Sequence, residues 1–153
     1  MHKLLAASFL AALFAGSAFA QQGPKPEDMI KWRQSGYGFM AWNMTRIKGN
    51  VEGQYNKEEV IKAANAIQAV ANSGMGALYA PGTEKGKGWE ETRAKPELFT
   101  DKDAVGKVAT AFNKEANEMA KVAATGDAAA VKAQFGKLAE TCKGCHDKFK
   151  RKD

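Results

Sequence analysis

The chain has 153 residues, a formal net charge of +6 and only two cysteines. The cysteine count excludes a scaffold held together by several disulfides. The excess of basic residues is mild and lacks the aromatic interleaving that is typical of nucleic-acid binding, so we expect no nucleic-acid partner.

The first predicted element along the chain is a secretory signal peptide over residues 1–20. Lys3 precedes an apolar stretch from residue 4 to residue 14, and Ala18-Phe19-Ala20 supplies an A-x-A cleavage site. That stretch is too short for a membrane anchor, and no other apolar run is long enough to span a bilayer. We therefore expect cleavage after Ala20, export to a bacterial periplasm and one mature domain over residues 21–153.

Two helices are predicted next. An apolar pattern with helical periodicity covers residues 27–48, after prolines that suit a helix start, and a second pattern covers residues 57–78 and ends among glycines. Each pattern defines one inner face for a core. The predicted inner positions are Ile30, Arg33, Tyr37, Met40, Met44 and Ile47 in the first helix, and Ile61, Ala64, Ile67, Ala71 and Met75 or Leu78 in the second.

Two further helices follow a long segment, residues 80–100, that is rich in glycine, proline and charge. The third helix is predicted over residues 101–125, and Asp127 can cap the fourth. Their inner positions are Val105, Val108, Phe112, Met119 and Val122 in the third helix, and Val131, Phe135, Leu138, Cys142, Cys145 and Phe149 in the fourth. Short connections make helices 1 and 2, and helices 3 and 4, antiparallel neighbours. We expect an all-α fold, an antiparallel up-and-down four-helix bundle with a long loop between helices 2 and 3.

The fourth helix carries the motif with the clearest chemistry, Cys142-Lys143-Gly144-Cys145-His146. A C-x-x-C-H sequence is typical of covalent haem attachment, in which two thiols bind the vinyl groups and the histidine becomes an axial iron ligand. A redox disulfide is the alternative, but the following histidine and the lack of a strand-helix-strand pattern argue against it. A structural zinc site would need four ligands, and the mature chain offers no further Cys or His.

A C-x-x-C-H near the C-terminus of an exported four-helix bundle resembles the cytochrome c′ family. Three other segments are similar to that family: Trp32-Arg33-Gln34, Pro81-Gly82-Thr83-Glu84, and Lys95-Pro96-Glu97-Leu98-Phe99. The resemblance covers nearly all of residues 25–150. It implies a left-handed bundle with one covalent haem c, assembled as a homodimer through helices 1 and 2.

The resemblance also implies roles for two residues of the first helix. Arg33 matches the basic residue that lies near a haem propionate, and an arginine on an apolar stripe is costly unless it meets an anion. A rim arginine whose head reaches water is the alternative. Tyr37 matches the distal wall that faces the iron opposite His146. Tyr37 could instead be a core tyrosine, or an axial ligand if it lost its proton.

Met40 and Lys150 complete the candidate set. Low-spin relatives of the family take a methionine of the first helix as second iron ligand, so Met40 or Met44 could serve as a ligand. Methionines at helical spacing are more often core residues, and we expect Met40 to pack against the haem edge. Lys150 matches a basic residue beside the proximal imidazole, although a lysine there would also oppose the helix dipole.

These residues predict a haem protein that binds a diatomic gas. An iron with His146 on one side and a non-ligating Tyr37 on the other is five-coordinate, and the resemblance then implies nitric oxide binding, weak carbon monoxide binding and one-electron redox. The alternative is a six-coordinate His/Met electron carrier that docks an unknown acidic redox partner through the lysines near its haem edge. We expect no enzyme activity, because no distal histidine is available for peroxide cleavage.

Overall fold

A computed structural model describes residues 23–125 and 127–152. The predicted signal peptide, residues 1–20, lies outside this range. Within it there are five α-helices, a single 3₁₀ turn at Met75–Leu78, and no β-strand. The helices are α1 (Pro26–Glu52), α2 (Lys57–Ala71), the short α3 (Glu97–Thr100), α4 (Lys102–Thr125) and α5 (Ala128–Phe149). None of the described helices is both long and apolar enough to cross a membrane.

The four long helices form the predicted bundle. Helix α1 packs on α2 and α5, and α4 packs on α2 and α5, so the four close into a ring. The connection from α1 to α2 covers only residues 53–56, and α4 ends two residues before the cap of α5. Short connections of this kind make each pair antiparallel. The all-α, up-and-down four-helix fold is therefore confirmed.

Local capping chemistry explains where the helices begin and end. Asn56 caps α2 by accepting a hydrogen bond from the Glu59 amide at 3.1 Å, and Asp127 caps α5 as predicted, accepting from the next two amides. The predicted second helix was too long at its C-terminus. Helix α2 ends at Ala71, and Gly74 then adopts φ +83°, a left-handed conformation that stops the α-helix before the 3₁₀ turn.

The core lies among α1, α2, α4 and α5. The predicted inner positions of α1 and α5 are buried or half-buried except Tyr37, which is 41% exposed and not buried as predicted. Asn43 and Gln134 are buried polar additions that the apolar pattern did not predict. The predicted inner face of α4 was partly wrong, because Val105, Val108 and Phe112 are only half-buried. The buried residues of α4 are Ala116, Met119, Ala120 and Ala123.

The long segment between the 3₁₀ turn and α4, residues 79–101, is held against the bundle at two places. At one end, the Gln34 side chain of α1 accepts from the Trp89 amide at 2.7 Å and donates to the Glu90 carbonyl at 2.9 Å. At the other, the Lys95 amide donates to the Phe149 carbonyl at 2.9 Å. We call this segment the crossover. It therefore links the middle of α1 to the end of α5.

Candidate haem site

The two cysteines of the motif lie half-buried on one face of α5. They are three residues apart and therefore neighbours on the helix surface. Both thiols are free, and burial raises the pKa of Cys142 and of Cys145 above the usual range. The thiols consequently stay protonated and uncharged at neutral pH. Such a setting favours their conversion to an uncharged thioether.

His146 follows the cysteines in the last turn of α5, and its side chain is exposed. Burial of part of the ring lowers the pKa of His146, and the positive charges of Lys150 and Arg93 lower it further. The imidazole is therefore kept neutral, and neutral imidazole is the form that binds metal. Sequence reasoning placed Lys150 here, but it did not identify Arg93.

Tyr37 of α1 lies across from the motif. The phenol lies close to Cys145 and Cys142, and burial raises its pKa. Tyr79, at the start of the crossover, is also close to Cys145, and burial raises its pKa as well. The two phenol groups lie within hydrogen-bonding reach of each other. The structure thus brings a pair of neutral phenols close to the cysteines of the motif.

Arg33 is 4% exposed, and its guanidinium meets protein oxygens. It donates to the Thr83 hydroxyl at 2.8 Å, the Thr83 carbonyl at 2.6 Å, the Thr92 hydroxyl at 2.8 Å and the Leu78 carbonyl at 3.1 Å. Burial lowers the pKa of Arg33. Arginine has five N–H donors, so these bonds leave Nε–H as the donor for the predicted propionate contact. Three of the four acceptors that offset the burial of this cation come from the crossover, and the fourth is in the 3₁₀ turn before it.

Met40 and Lys150 occupy different surroundings. Met40 is 5% exposed and belongs to the buried core between the helices, whereas Met44 is half-buried against that core. Lys150 is half-buried just after α5, where its backbone pairs with Ala94 of the crossover. It lines a shallow recess of about 290 Å³ that also includes Arg93 and His146. The predicted haem contact of Met40 and the predicted proximal role of Lys150 stay predictions.

The family of the chain follows from comparison with known proteins. The family model described as Cytochrome C′ matches residues 28–150. The chain belongs to the cytochrome c′ family. Members of this family carry covalently bound haem c, so haem c is the cofactor of this c-type cytochrome.

Three relatives illustrate the similarity. Cytochrome c′ of Rhodocyclus tenuis is 68% identical over 130 residues, which cover 84% of this chain and 98% of that protein. A solved cytochrome c′ described as having ligand-controlled dimer dissociation is 54% identical with a TM-score of 0.83, covering 86% of this chain and 100% of that one. A ferrous variant of Alcaligenes xylosoxidans cytochrome c′ with bound NO is 30% identical with a TM-score of 0.76, at the same coverage. A carbon monoxide complex of that protein is also similar.

The residues of this cytochrome c′ fit a covalent haem. Its only two cysteines lie on one helix face, a histidine follows directly, and aromatic side chains approach from α1 and the crossover. In the described part of the chain, no group of three or more His, Cys, Asp or Glu side chains is placed to hold a metal ion. An iron brought by a macrocycle needs only the axial imidazole from such side chains.

Sequence reasoning missed the polar residues that hold the site together. Thr83 and Thr92 are buried at 0% and 4% exposure because their hydroxyl groups accept from Arg33. A signal for Thr83 was present, since it lies in the Pro-Gly-Thr-Glu segment that carried the family resemblance. Thr92 and Arg93 lie in a charged stretch without periodicity, and nothing in the sequence singled them out.

Proposed function

We propose that this cytochrome c′ is an exported, periplasmic protein whose five-coordinate haem iron binds nitric oxide, and carbon monoxide weakly. It undergoes one-electron redox and is not an enzyme. The observation that carries this proposal is the pair of neutral phenols, Tyr37 and Tyr79, that lie close to the attachment cysteines. A neutral phenol is a poor iron ligand but an effective wall.

Each residue of the motif has one role in this proposal. Cys142 and Cys145 would hold the haem by two thioether bonds, in which each sulfur would be bound to one carbon of a former vinyl group and each thiol proton to the other. His146 provides the axial nitrogen, and Lys150 lies beside it. Arg33 offers its Nε–H to a propionate. The bound haem supplies a redox-active iron that can take a diatomic gas.

The protonation of Tyr37 supports five-coordination. An ordinary phenol has a pKa near 10.0, and burial raises the value for Tyr37. At neutral pH the residue is therefore a phenol, not the phenolate that ligates iron. The burial of Met40 in the core supports the same conclusion, because its sulfur contributes to helix packing. The gas complexes of the Alcaligenes xylosoxidans relative support the class of ligand.

The test is the electronic spectrum of the ferrous protein before and after addition of nitric oxide. We expect a high-spin spectrum that shifts when the gas is added, and an unshifted spectrum would contradict the proposal. A low-spin spectrum in both oxidation states without a carbon monoxide adduct would favour the six-coordinate electron carrier instead. In that case Met40→Leu should restore a high-spin iron.

The proposed compartment has a separate test. The N-terminus of the protein purified from the periplasmic fraction should begin at Gln21, directly after the A-x-A site. A chain that retains residues 1–20, or that stays in the cytoplasm, would contradict export. Haem attachment can be scored in the same samples by haem staining of a denaturing gel.

We also propose a homodimer through α1 and α2. The side of α1 that faces away from the core carries three exposed aromatic residues: Trp32 at 49%, Phe39 at 47% and Trp42 at 54%. The Phe39 and Trp42 rings lie 5.6 Å apart and form one apolar patch. Patches of large aromatic residues mark interaction surfaces. The solved relative with ligand-controlled dimer dissociation supports an assembly of two copies.

Sedimentation equilibrium tests the dimer. Trp42→Glu places a charge within the aromatic patch and should shift the protein to a monomer. Ala109→Glu adds the same charge to an exposed position of α4 and should leave the dimer unchanged. Equal dissociation of both variants would place the interface elsewhere.

A further inference from the structure

We propose that Tyr79 is a positioning residue that holds the Tyr37 phenol against the gas-binding face and so limits how fast a ligand reaches the iron. The inference rests on the proposed gas-binding function. Tyr37 alone is the residue that the family resemblance places on the distal wall. The structure adds a second phenol, from a different element of the fold, that can restrain it.

The two phenols approach from separate directions. Tyr37 lies in the middle of α1, whereas Tyr79 ends the 3₁₀ turn, where its amide donates to the Gly76 carbonyl at 3.1 Å. The turn presses on α1 beside Tyr37: a Cβ built on Gly36 would lie 2.8 Å from the Met75 methyl carbon. Arg33 and Tyr37 are four residues apart on one face of α1, and the Tyr79 ring lies 4.8 Å from the Arg33 guanidinium, so the Tyr79 side chain lies beside that of Tyr37.

Tyr79 is the better fixed of the two. The Arg33 guanidinium lies 4.8 Å from the centre of the Tyr79 ring, and the Phe99 ring lies 6.0 Å away on the crossover. Arg33 is itself held by its hydrogen bonds to Thr83 and Thr92. Tyr37, by contrast, is 41% exposed. A side chain that is packed on several sides can therefore restrain one that is partly free.

The restraint acts on the barrier to ligand entry. A gas molecule that binds opposite His146 must displace the Tyr37 ring, and that displacement breaks the contact with Tyr79. Both phenols are protonated at neutral pH because burial raises the pKa of each, so one can donate to the other. The loss of such a neutral hydrogen bond should speed ligand association by roughly two- to tenfold.

Carbon monoxide association with the ferrous holoprotein, followed by stopped flow, tests the proposal. Tyr79→Phe and Tyr37→Phe each remove one partner of the contact and keep the ring, so each should raise the rate by that factor. The double variant should be no faster than either single variant, because all three lack the same contact. Tyr55→Phe is the matched control: it removes the third tyrosine hydroxyl, which lies in the α1–α2 connection, and should leave the rate unchanged.

The outcomes separate this inference from the proposed function. A wild-type protein that binds neither gas would refute the function. Two results with a wild-type protein that binds carbon monoxide would refute only the role of Tyr79. One is an unchanged association rate in Tyr79→Phe. The other is a rate increase in the double variant that equals the product of the increases in the two single variants. Should Tyr79→Phe fail to fold, the rate of Tyr37→Phe decides in its place. Crystal structures of the variants give a second readout, in which the Tyr37 ring of Tyr79→Phe should leave its wild-type position.

Discussion

Replacement of Arg33 by lysine should destabilise this cytochrome c′ far more than the formal conservation of charge suggests. The guanidinium donates four hydrogen bonds, to three oxygens of Thr83 and Thr92 and to the Leu78 carbonyl. A lysine ammonium is a compact group without the planar fork and cannot reach all of these acceptors. At least two oxygens would lose their partner in a buried place.

The size of the effect follows from that count. A hydrogen bond from a charged donor is worth about 1.5–3 kcal/mol, so the loss of two, partly offset by relaxation, should lower the free energy of unfolding by about 3 kcal/mol. A domain of this size has a total stability of about 5–15 kcal/mol. The variant should therefore fold but unfold at a clearly lower denaturant concentration.

Arg46→Lys provides the control for Arg33→Lys. Arg46 also lies on α1 and stacks over an aromatic ring, Trp42 at 4.8 Å, but it is partly exposed and pairs with Glu59. An ion pair in such a position contributes about 0–1 kcal/mol. The two variants are compared by unfolding the ferric holoproteins in guanidinium chloride, followed by far-ultraviolet circular dichroism. The protein concentration is the same for both, because the stability of a dimer depends on it. Equal losses for both variants would refute the assigned role of Arg33.

Three further predictions concern sites away from the haem. Gly88→Ala should destabilise the protein by about 1–3 kcal/mol in the same unfolding assay, since its Cβ would lie 2.7 Å from the Lys31 amide nitrogen. Gly136→Ala is the control: its Cβ would meet open space, so it should stabilise α5 by about 0.5–1 kcal/mol. The Arg46 guanidinium lowers the pKa of Glu59 below 4.5, so this pair stabilises the fold above that pH and loses its effect as the pH falls through the lowered value. Unfolding midpoints of wild type and Glu59→Gln should thus differ at pH 7, the difference should shrink as the pH falls below 4.5, and a constant difference would contradict this pairing. Among the described residues the buried Tyr55 hydroxyl has no hydrogen-bond partner, so Tyr55→Phe should raise the melting temperature, and a fall would indicate a partner.

The sequence predicted the fold well where large apolar residues repeat with helical spacing. Helix α5 is the best case: Val131, Leu138 and Phe149 are buried, and the cysteines lie on the same half-buried side, as the pattern indicated. The cap at Asp127 was also predicted, because a side-chain carboxylate before a helix has a specific acceptor role. Both signals are local and need no knowledge of partner helices.

The face of α4 was harder to predict, for a physical reason. Its buried residues include Ala116, Ala120 and Ala123, whereas the larger Val108 and Phe112 are only half-buried. Alanine allows neighbouring helices to approach closely, but its weak hydrophobicity makes it a poor marker of burial. Which side of such a helix is buried depends on its neighbours, α2 and α5, and is not decided by its own sequence.

Arg33 shows a second kind of limit. The sequence argument that a cation on an apolar stripe needs a compensating partner was sound, since the residue is buried and donates four hydrogen bonds. The partners come from the crossover and from the 3₁₀ turn before it, more than forty residues further along the chain, where helical periodicity gives no guidance. Long-range polar contacts of this kind become visible only when the loop conformation is known. The family resemblance suggested a propionate as the partner, and the structure adds the threonines.

Thr92 connects the two sides of the candidate haem site. Its hydroxyl accepts from Arg33, beneath Tyr79, and its carbonyl accepts from the Arg151 guanidinium at 2.5 Å, just beyond the end of α5. The same stretch of crossover therefore supports Tyr79, through Arg33, and the segment that follows His146. Because both supports use one piece of backbone, a displacement of the crossover would move both together. The crossover is thus a structural link between Tyr79, at its own start, and the segment that follows His146.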